Sequence, residues 1–338
     1  PGAAGYPSQA VCDALAAALA QLQIQPESDE ALASLLTQTE AYKSAAPVQP
    51  EAGKYYQLVS ASVYYKNRYA GSSVYEKNGK LFLHYTQQLE PEEIWTFEPQ
   101  PDGSHLLRHA FSGNYADMPA YDAAVALAET PGCAIRIGKP SSSEQFAFIP
   151  GTVTLSDASA AAGSTLVKRF YGKMSGQVAA YDDTASGHPG TWRLVEVTDF
   201  RAFLQSLADK CRRLVETAVP GETGQPTQEA FDFLENSVIQ PVREALKSTV
   251  TKEVYEQYAR LYQQFLDMPR ASYADNLRED CHYYIVNAYH TSKYARANTS
   301  SGQVVPANLS AGNDTFRWRF RKNRNGTVTI INKATGTG

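Results

Sequence analysis

The stretch Tyr56-Gln57-Leu58-Val59-Ser60-Ala61 returns, altered at three places, as Tyr283-Tyr284-Ile285-Val286-Asn287-Ala288. Outward from it, the two surroundings stay in step. A Tyr-Ala pair follows each copy, Tyr69-Ala70 and Tyr294-Ala295, and then a Trp-x-Phe, Trp95 with Phe97 and Trp318 with Phe320. Eight residues past each Trp stands Gly103 or Gly326, preceded by Asp102 or Asn325, and ten residues further stands Gly113 or Gly336. Asp-Gly and Asn-Gly supply the left-handed backbone that closes a tight hairpin. A helix-opening Ser28 or Thr251 lies upstream of each copy. Self-similarity on this scale marks a duplicated unit. The expectation is an α+β multidomain chain of two tandem copies, each a helical part followed by a β part. The first copy runs on from Gly113 to Val197, whereas the second reaches only Thr337 and Gly338. The second β part is therefore expected to be incomplete and the chain to be a fragment.

Periodicity places the elements. Val11, Leu15, Leu19 and Leu22 form one helical stripe, opened by Ser8 and stopped by Pro26. Ser28, with Asp29 and Glu30 behind it, opens a second helix carrying Leu32, Leu35 and Leu36. From Lys54 the texture changes to short Tyr-, Val- and Leu-rich pieces between Gly, Asn, Asp, Ser and Pro turns. The clearest are 55–60, 81–85, 94–97, 106–109, 134–137, 146–149 and 192–197. Three of these carry an aromatic-x-apolar pair: Trp95 with Phe97, Phe146 with Phe148, and Trp192 with Leu194. In a strand, positions i and i+2 share a face, so each pair enters a common core. Three such pairs predict a threefold pseudo-symmetric β-trefoil.

Near Asp199 the helical period returns in Leu204, Leu207, Cys211, Leu214 and Val215. A second helix holds Phe233, Leu234, Val238, Val242 and Leu246, with Pro241 expected to kink or divide it. Thr251 opens a third, with Val254, Tyr258, Leu261, Tyr262 and Phe265 on one face. The predicted domains are a helical hairpin at 1–50, a β-trefoil at 54–197, a helical spacer at 198–270 and the first repeat of a truncated second trefoil at 281–338.

Composition excludes several functions. The net charge of the 338 residues is -4, which does not suit a phosphate-backbone binder, so no nucleic-acid partner is expected. No apolar run approaches the ~20 residues of a membrane helix, so no membrane insertion is expected within the chain. The four cysteines and six histidines form no ligand cluster, so neither a metal nor a cofactor is expected. His105 and His109 lie in strand-like sequence, where residues four apart are separated by about 13 Å. A glycosidase needs two carboxylates facing each other across a cleft. Glu90, Glu92 and Glu93, like Glu279 and Asp280, are instead neighbours near turns. The chain is not expected to be an enzyme.

The Tyr-x-x-Val-x-Ala run, Tyr-Ala, Trp-x-Phe and the segment Asn325-Gly326-Thr327-Val328-Thr329-Ile330-Ile331-Asn332-Lys333-Ala334-Thr335-Gly336 resemble the repeat of ricin-type (R-type) β-trefoil lectin domains. The likeness is greatest to versions with helical spacers in large secreted or surface glycan-degrading proteins of Bacteroidetes. It covers roughly 54–197 and 281–338. Where that family ends a repeat with Gln-x-Trp, this chain has Glu93-Ile94-Trp95, Glu144-Gln145-Phe146, Gly190-Thr191-Trp192 and Phe316-Arg317-Trp318. The resemblance implies a non-catalytic carbohydrate-binding module of a larger secreted or cell-surface bacterial protein, with a glycan or polysaccharide as ligand. Two alternatives stand beside it: a structural or protein-interaction scaffold with a protein partner and no sugar site, and an accessory region of a glycoside hydrolase whose catalytic domain lies outside this chain.

A sugar site needs a flat aromatic face for C–H groups and carboxylate or amide oxygens for hydroxyls. Two clusters have that content: Tyr115, Asp117, Tyr121 and Asp122, and Tyr181, Asp182, Asp183 and His188. The plainer reading makes them turn and rim residues. Trp95, Trp192 and Trp318 are read as core. Tyr64, Tyr65, Tyr69 and Tyr75 would suit a contact surface. Arg317, Arg319, Arg321, Lys322 and Arg324 form a basic run that an anionic glycan would fit, or else a solvated strand face.

Overall fold

The computed structural model describes residues 2–61, 71–85, 88–140, 151–160, 167–173, 175–181, 190–272, 277–323 and 327–337. The chain divides into two compact units, Pro1–Phe203 and Leu204–Gly338.

Unit 1 opens with helices α1 (Gln9–Ile24) and α2 (Asp29–Ser44). The Ser8 hydroxyl accepts the Val11 N–H, and Ser28 accepts that of Ala31 at 3.2 Å, so each helix starts where a side chain satisfies an otherwise orphaned donor. The preceding segment is tied down by Gly5 N–H to Val48 O and Val48 N–H to Tyr6 O, both 2.8 Å. The Tyr6 ring lies against Gly151, where φ is +79° and a Cβ would sit 2.3 Å from the ring. Only glycine fits both demands.

Twelve strands follow: β1 (Tyr56–Ser60), β2 (Ser73–Lys77), β3 (Lys80–His84), β4 (Ile94–Pro99), β5 (His105–His109), β6 (Tyr115–Asp117), β7 (Ala126–Ala128), β8 (Ile135–Gly138), β9 (Thr152–Asp157), β10 (Arg169–Gly172), β11 (Val178–Tyr181) and β12 (Trp192–Glu196). Six of them pair in a closed antiparallel ring, β1 with β4, β4 with β5, β5 with β8, β8 with β9, β9 with β12, and β12 back to β1. The other six form three hairpins, β2–β3, β6–β7 and β10–β11. The hairpins meet one another through Lys80↔Ala126, Phe82↔Gln177 and Ala124↔Ala179. A six-stranded barrel capped by three hairpins, four strands to a lobe, is a β-trefoil.

The core follows the strand period. Leu58, Leu107 and Leu155, one from the first strand of each lobe, are fully buried. The fourth strands of the lobes contribute Trp95 with Phe97, Ile135 with Ile137, and Trp192 with Leu194. The middle pair differs from the sequence expectation. Its place is held by two β-branched aliphatics flanking the outward Arg136, so an aromatic pattern does not mark it. Phe146 and Phe148 lie outside the described residues. Trp95 Nε1 donates to Val74 O at 3.0 Å and Trp192 Nε1 to Phe170 O at 3.1 Å, pinning each barrel strand to the hairpin of its own lobe. His105 and His109 are core residues: His109 packs edge-on against Trp95 and bonds Ser112 Oγ and Pro91 O, and burial lowers the pKa of both imidazoles. The four cysteines are free thiols.

Helix α3 (Arg201–Thr217) spans the boundary between the units. Unit 2 continues with α4 (Gln228–Phe233), a wide π-helical turn (Leu234–Ile239), α5 (Gln240–Ala245) and α6 (Lys252–Asp267). Pro241 has no N–H, and the helix passes it through the wide turn, with Gln240 N–H reaching Glu235 O. Two hairpins follow, β13 (Lys293–Ala297) with β14 (Val304–Asn308), and β15 (Trp318–Lys322) with β16 (Val328–Asn332). Trp318 Nε1 donates to Ala295 O at 2.9 Å.

Replacing Trp192 with Phe keeps a six-membered aromatic ring but removes the pyrrole ring with its N–H and leaves the buried Phe170 carbonyl without its donor. Trp192→Phe is expected to lower unfolding free energy by about 1–3 kcal/mol, read from urea midpoints at unchanged slope.

Candidate functional site

The pairing of the second and third hairpins brings together residues far apart in sequence. Val125 N–H bonds Val178 O, and Ala180 N–H bonds Ala123 O, both at 2.9 Å. This joins the β6–β7 connection to β11 and sets three tyrosine rings in a row. Tyr171 on β10 is buried, Tyr181 on β11 is half-buried, and Tyr121 in the β6–β7 connection is 50% exposed. Centroids are 5.0 Å apart between Tyr171 and Tyr181, and 5.0 Å between Tyr181 and Tyr121, with interplanar angles of 37° and 31°. The series runs from core to surface, so the outer ring rests on inner ones.

Asp122 follows Tyr121 at φ +61°, a left-handed conformation uncommon for a residue with a side chain. Its N–H donates to Ala180 O at 2.7 Å, and Lys173 Nζ reaches both its carbonyl at 2.9 Å and its carboxylate at 2.8 Å. At this exposure the ion pair adds little stability. Its effect is positional, since it fixes the carbonyl and carboxylate of the residue that follows Tyr121.

The other expected residues go elsewhere. On β6, Ala116 points into the core while Tyr115 and Asp117 share the opposite face. The Tyr115 hydroxyl donates to Glu98 Oε2 at 3.3 Å, and Arg108 lies over its ring at 5.5 Å while bonding Glu98 and Gly113 O. Asp117 is closed over by Gly132, where a Cβ would come within 2.3 Å of Cγ. The contacts of Tyr115 and Asp117 thus hold the strand rather than extending the tyrosine row. Asp182, Asp183 and His188, like Tyr64, Tyr65 and Tyr69, lie outside the described residues. Tyr171 and Lys173 were not anticipated. Tyr171 lies on β10, a four-residue piece whose buried run shows no alternation, and Lys173 follows just after it.

A second cluster surrounds Glu93, the first residue of Glu93-Ile94-Trp95. It ends a single 3₁₀ turn (Pro91–Glu93), and its Oε2 accepts the Glu90 N–H at 3.2 Å and Gln57 Nε2 at 3.4 Å. Oε1 has no hydrogen-bond partner, and His84 Nδ1 stands 3.7 Å from it. Burial of the carboxyl, aided by repulsion from Glu90 and Glu92, lifts its pKa to about 7. The acids that raise its pKa, Glu90 and Glu92, belong to its own turn, so the geometry is that of a capping box rather than an acid–base pair.

In unit 2, a cavity of about 490 Å³ lies between α3 and the α4–α5 segment, lined by Cys211, Val238 and Val242 with Asp209, Arg212 and Glu235. Burial pushes the Cys211 thiol to about 11, which keeps it protonated at neutral pH. Among the described residues, no group of three or more His, Cys, Asp or Glu is placed to hold a metal, and no helix is long and apolar enough to cross a membrane.

No protein-family model matches the chain. No curated protein sequence matches it. Solved structures similar to it include β-trefoil lectins. The Rhizoctonia solani agglutinin is 16% identical over 45% of this chain and 100% of its own, with a TM-score of 0.33. A ricin B-like lectin of Macrolepiota procera, solved with lactose, is 16% identical over 44% of this chain and 100% of its own, with a TM-score of 0.33. ThreeFoil, a designed threefold-symmetric protein, is 17% identical over 42% of this chain and 99% of its own, with a TM-score of 0.32. The trefoil here is established by its own strand pairing.

The Glu93 cluster has a pH consequence. Its folded pKa lies above its ordinary 4.5, so its contribution to stability is full below pH 4.5 and is lost as pH rises through about 7. The total is on the order of 3 kcal/mol. Glu93→Gln is expected to remove this slope, making the variant the more stable form at pH 8 while leaving the two close together at pH 4.5. Urea midpoints of both proteins across that range measure it.

Proposed function

We propose that unit 1 is a non-catalytic carbohydrate-binding module of a larger secreted or cell-surface bacterial protein, and that unit 2 is a second, partial copy of the same design. The observation that carries the reading is the Tyr171–Tyr181–Tyr121 row ending beside Asp122 and Lys173. A pyranose presents a patch of C–H groups on one face and hydroxyls around its edge. The outer tyrosine offers a flat face for the first, kept in place by the rings behind it. The Asp122 carboxylate accepts from hydroxyl groups and Lys173 donates to them, both already oriented, so little ordering cost remains at binding. One shallow ring supports an affinity on the order of millimolar for a single sugar. A larger protein carrying several such modules gains avidity when their spacing lets them reach one polymer.

The test is a glycan array probed with the whole chain and with three single variants. Tyr121→Ala and Tyr181→Ala are expected to reduce binding at least tenfold, and Tyr115→Ala to leave it within twofold. Binding that Tyr115→Ala abolishes and Tyr121→Ala spares would move the site to the Arg108–Glu98 side. A folded chain that binds no glycan would favour the scaffold reading.

A further inference from the structure

The β part of unit 2 repeats several contacts of the first lobe of unit 1 and of the strand that follows it, β5. The Tyr56 hydroxyl accepts the Glu51 N–H at 3.0 Å, and the Tyr283 hydroxyl accepts the Arg278 N–H at 2.7 Å, each from five residues upstream. Tyr56 meets Phe97 edge-on at 5.6 Å, and Tyr283 meets Phe320 edge-on at 5.4 Å. Trp95 bonds Val74 O and Trp318 bonds Ala295 O. Trp95 is opposite His109 and Trp318 opposite Asn332. A single 3₁₀ turn precedes each Trp, Pro91–Glu93 in one and Asp314–Phe316 in the other.

These matches fix which residues correspond, setting Ser73-Val74 rather than the expected Tyr69-Ala70 against Tyr294-Ala295, and burial then differs in one direction. Phe97 is opposite Leu107, and Phe320 is opposite Ile330. Leu107 is fully buried, while Ile330 is 42% exposed. Val74 is opposite Leu83, two positions from Leu81, and Ala295 is opposite Pro306, two positions from Val304. Leu81 is fully buried, while Val304 is 61% exposed. In unit 1 the cover comes from the other two lobes: Leu81 N–H bonds Val125 O, and Leu83 N–H bonds Gly176 O. Pro306 has no N–H to repeat the second bond, so that edge relies on side-chain cover. Water-facing aliphatics at the positions that form a core in the matching lobe mark a face built to be covered.

We infer that this face is the inner wall of a second trefoil, and that two further lobes of the same kind, carried by the same polypeptide beyond Gly338, cover it. This rests on the reading of unit 2 as a partial copy of unit 1. The path of the chain argues for cover within one polypeptide. In unit 1, Gly113, at φ +76°, donates to His109 O, His109 N–H bonds Asn114 O, and the chain enters β6 of the second lobe. In unit 2, Gly336, at φ +68°, donates to Asn332 O at 2.9 Å, and Asn332 N–H bonds Thr337 O at 3.1 Å. The turn that leads from the first strand of a second lobe towards its next strand is already formed.

Amide hydrogen exchange on the 338-residue chain and on the natural polypeptide tests this. In the 338-residue chain, the β15–β16 amides are expected to exchange at least tenfold faster than those of β4–β5. In the natural polypeptide, the two hairpins should be protected alike. There, Ile330→Asp should cost β15–β16 at least tenfold in protection, and Arg319→Ala, on the outward face, less than twofold. A natural polypeptide that ends at Gly338 overturns the inference, as does equal protection of the two hairpins in the 338-residue chain, whether as a monomer or as a trimer covering the face in trans. Glycan binding is read at Tyr121 in unit 1, so its loss or presence leaves this outcome unaffected.

Discussion

Unit 1 depends on one pairing between distant segments, β1 against β12. Five residue pairs, from Tyr56 opposite Glu196 to Ser60 opposite Trp192, join the start of the trefoil to its end. Without that ladder the other five pairings would make an open sheet with two exposed edges, and open edges invite association with other chains. With it the barrel closes, Leu58, Leu107 and Leu155 share one interior, and a site can form where lobes meet. Such closure requires long-range contacts before most of the core is formed, so folding is expected to be slow for a chain of this size.

The hairpins follow from the barrel. Each barrel strand that carries a tryptophan holds its own lobe's hairpin through an indole N–H to a backbone carbonyl. The lobe without a tryptophan, the middle one, relies on ladder bonds to its neighbours. Its β6–β7 connection is therefore positioned by lobe three, through Asp122 N–H to Ala180 O and Ala180 N–H to Ala123 O. That is why the tyrosine row is built from two lobes. Glu93 shows the opposite relation, a local turn whose backbone cap forces a carboxylate into the interior at the cost of a raised pKa.

Much of the fold was legible because its signals are local. The Ser8 and Ser28 caps, the helical stripes of α3 and α6, and the Trp-x-Phe and Trp-x-Leu strands are each set by residues within one or two turns. The unit 1 strands that escaped notice are β2 and β9, of five and six residues, and β6, β7, β10 and β11, of three or four. The buried runs of β10 and β11, such as that of Val178–Tyr181, do not alternate. The second lobe's core pair was sought among aromatics, while Ile135 and Ile137 meet the same packing requirement with branched aliphatics. The proposed site was legible in part: Tyr121, Asp122 and Tyr181 stood out as residue types suited to a sugar. Of the first sequence cluster, Tyr115 and Asp117 turn to contacts of their own, and of the second only Tyr181 lies among the described residues.

The sequence by itself determined the strand and helix periods, the tryptophans as core residues, and the recurrence of one residue pattern from Tyr56 and again from Tyr283. Those properties depend on side-chain spacing and turn chemistry, which act over a few residues. Only the tertiary structure decided that Tyr121 stacks on Tyr181, that Lys173 holds Asp122, and that Ile330 and Val304 face water while Leu107 and Leu81 do not. These outcomes depend on which lobes close against which, and that is settled by ladder hydrogen bonds and burial between segments tens of residues apart.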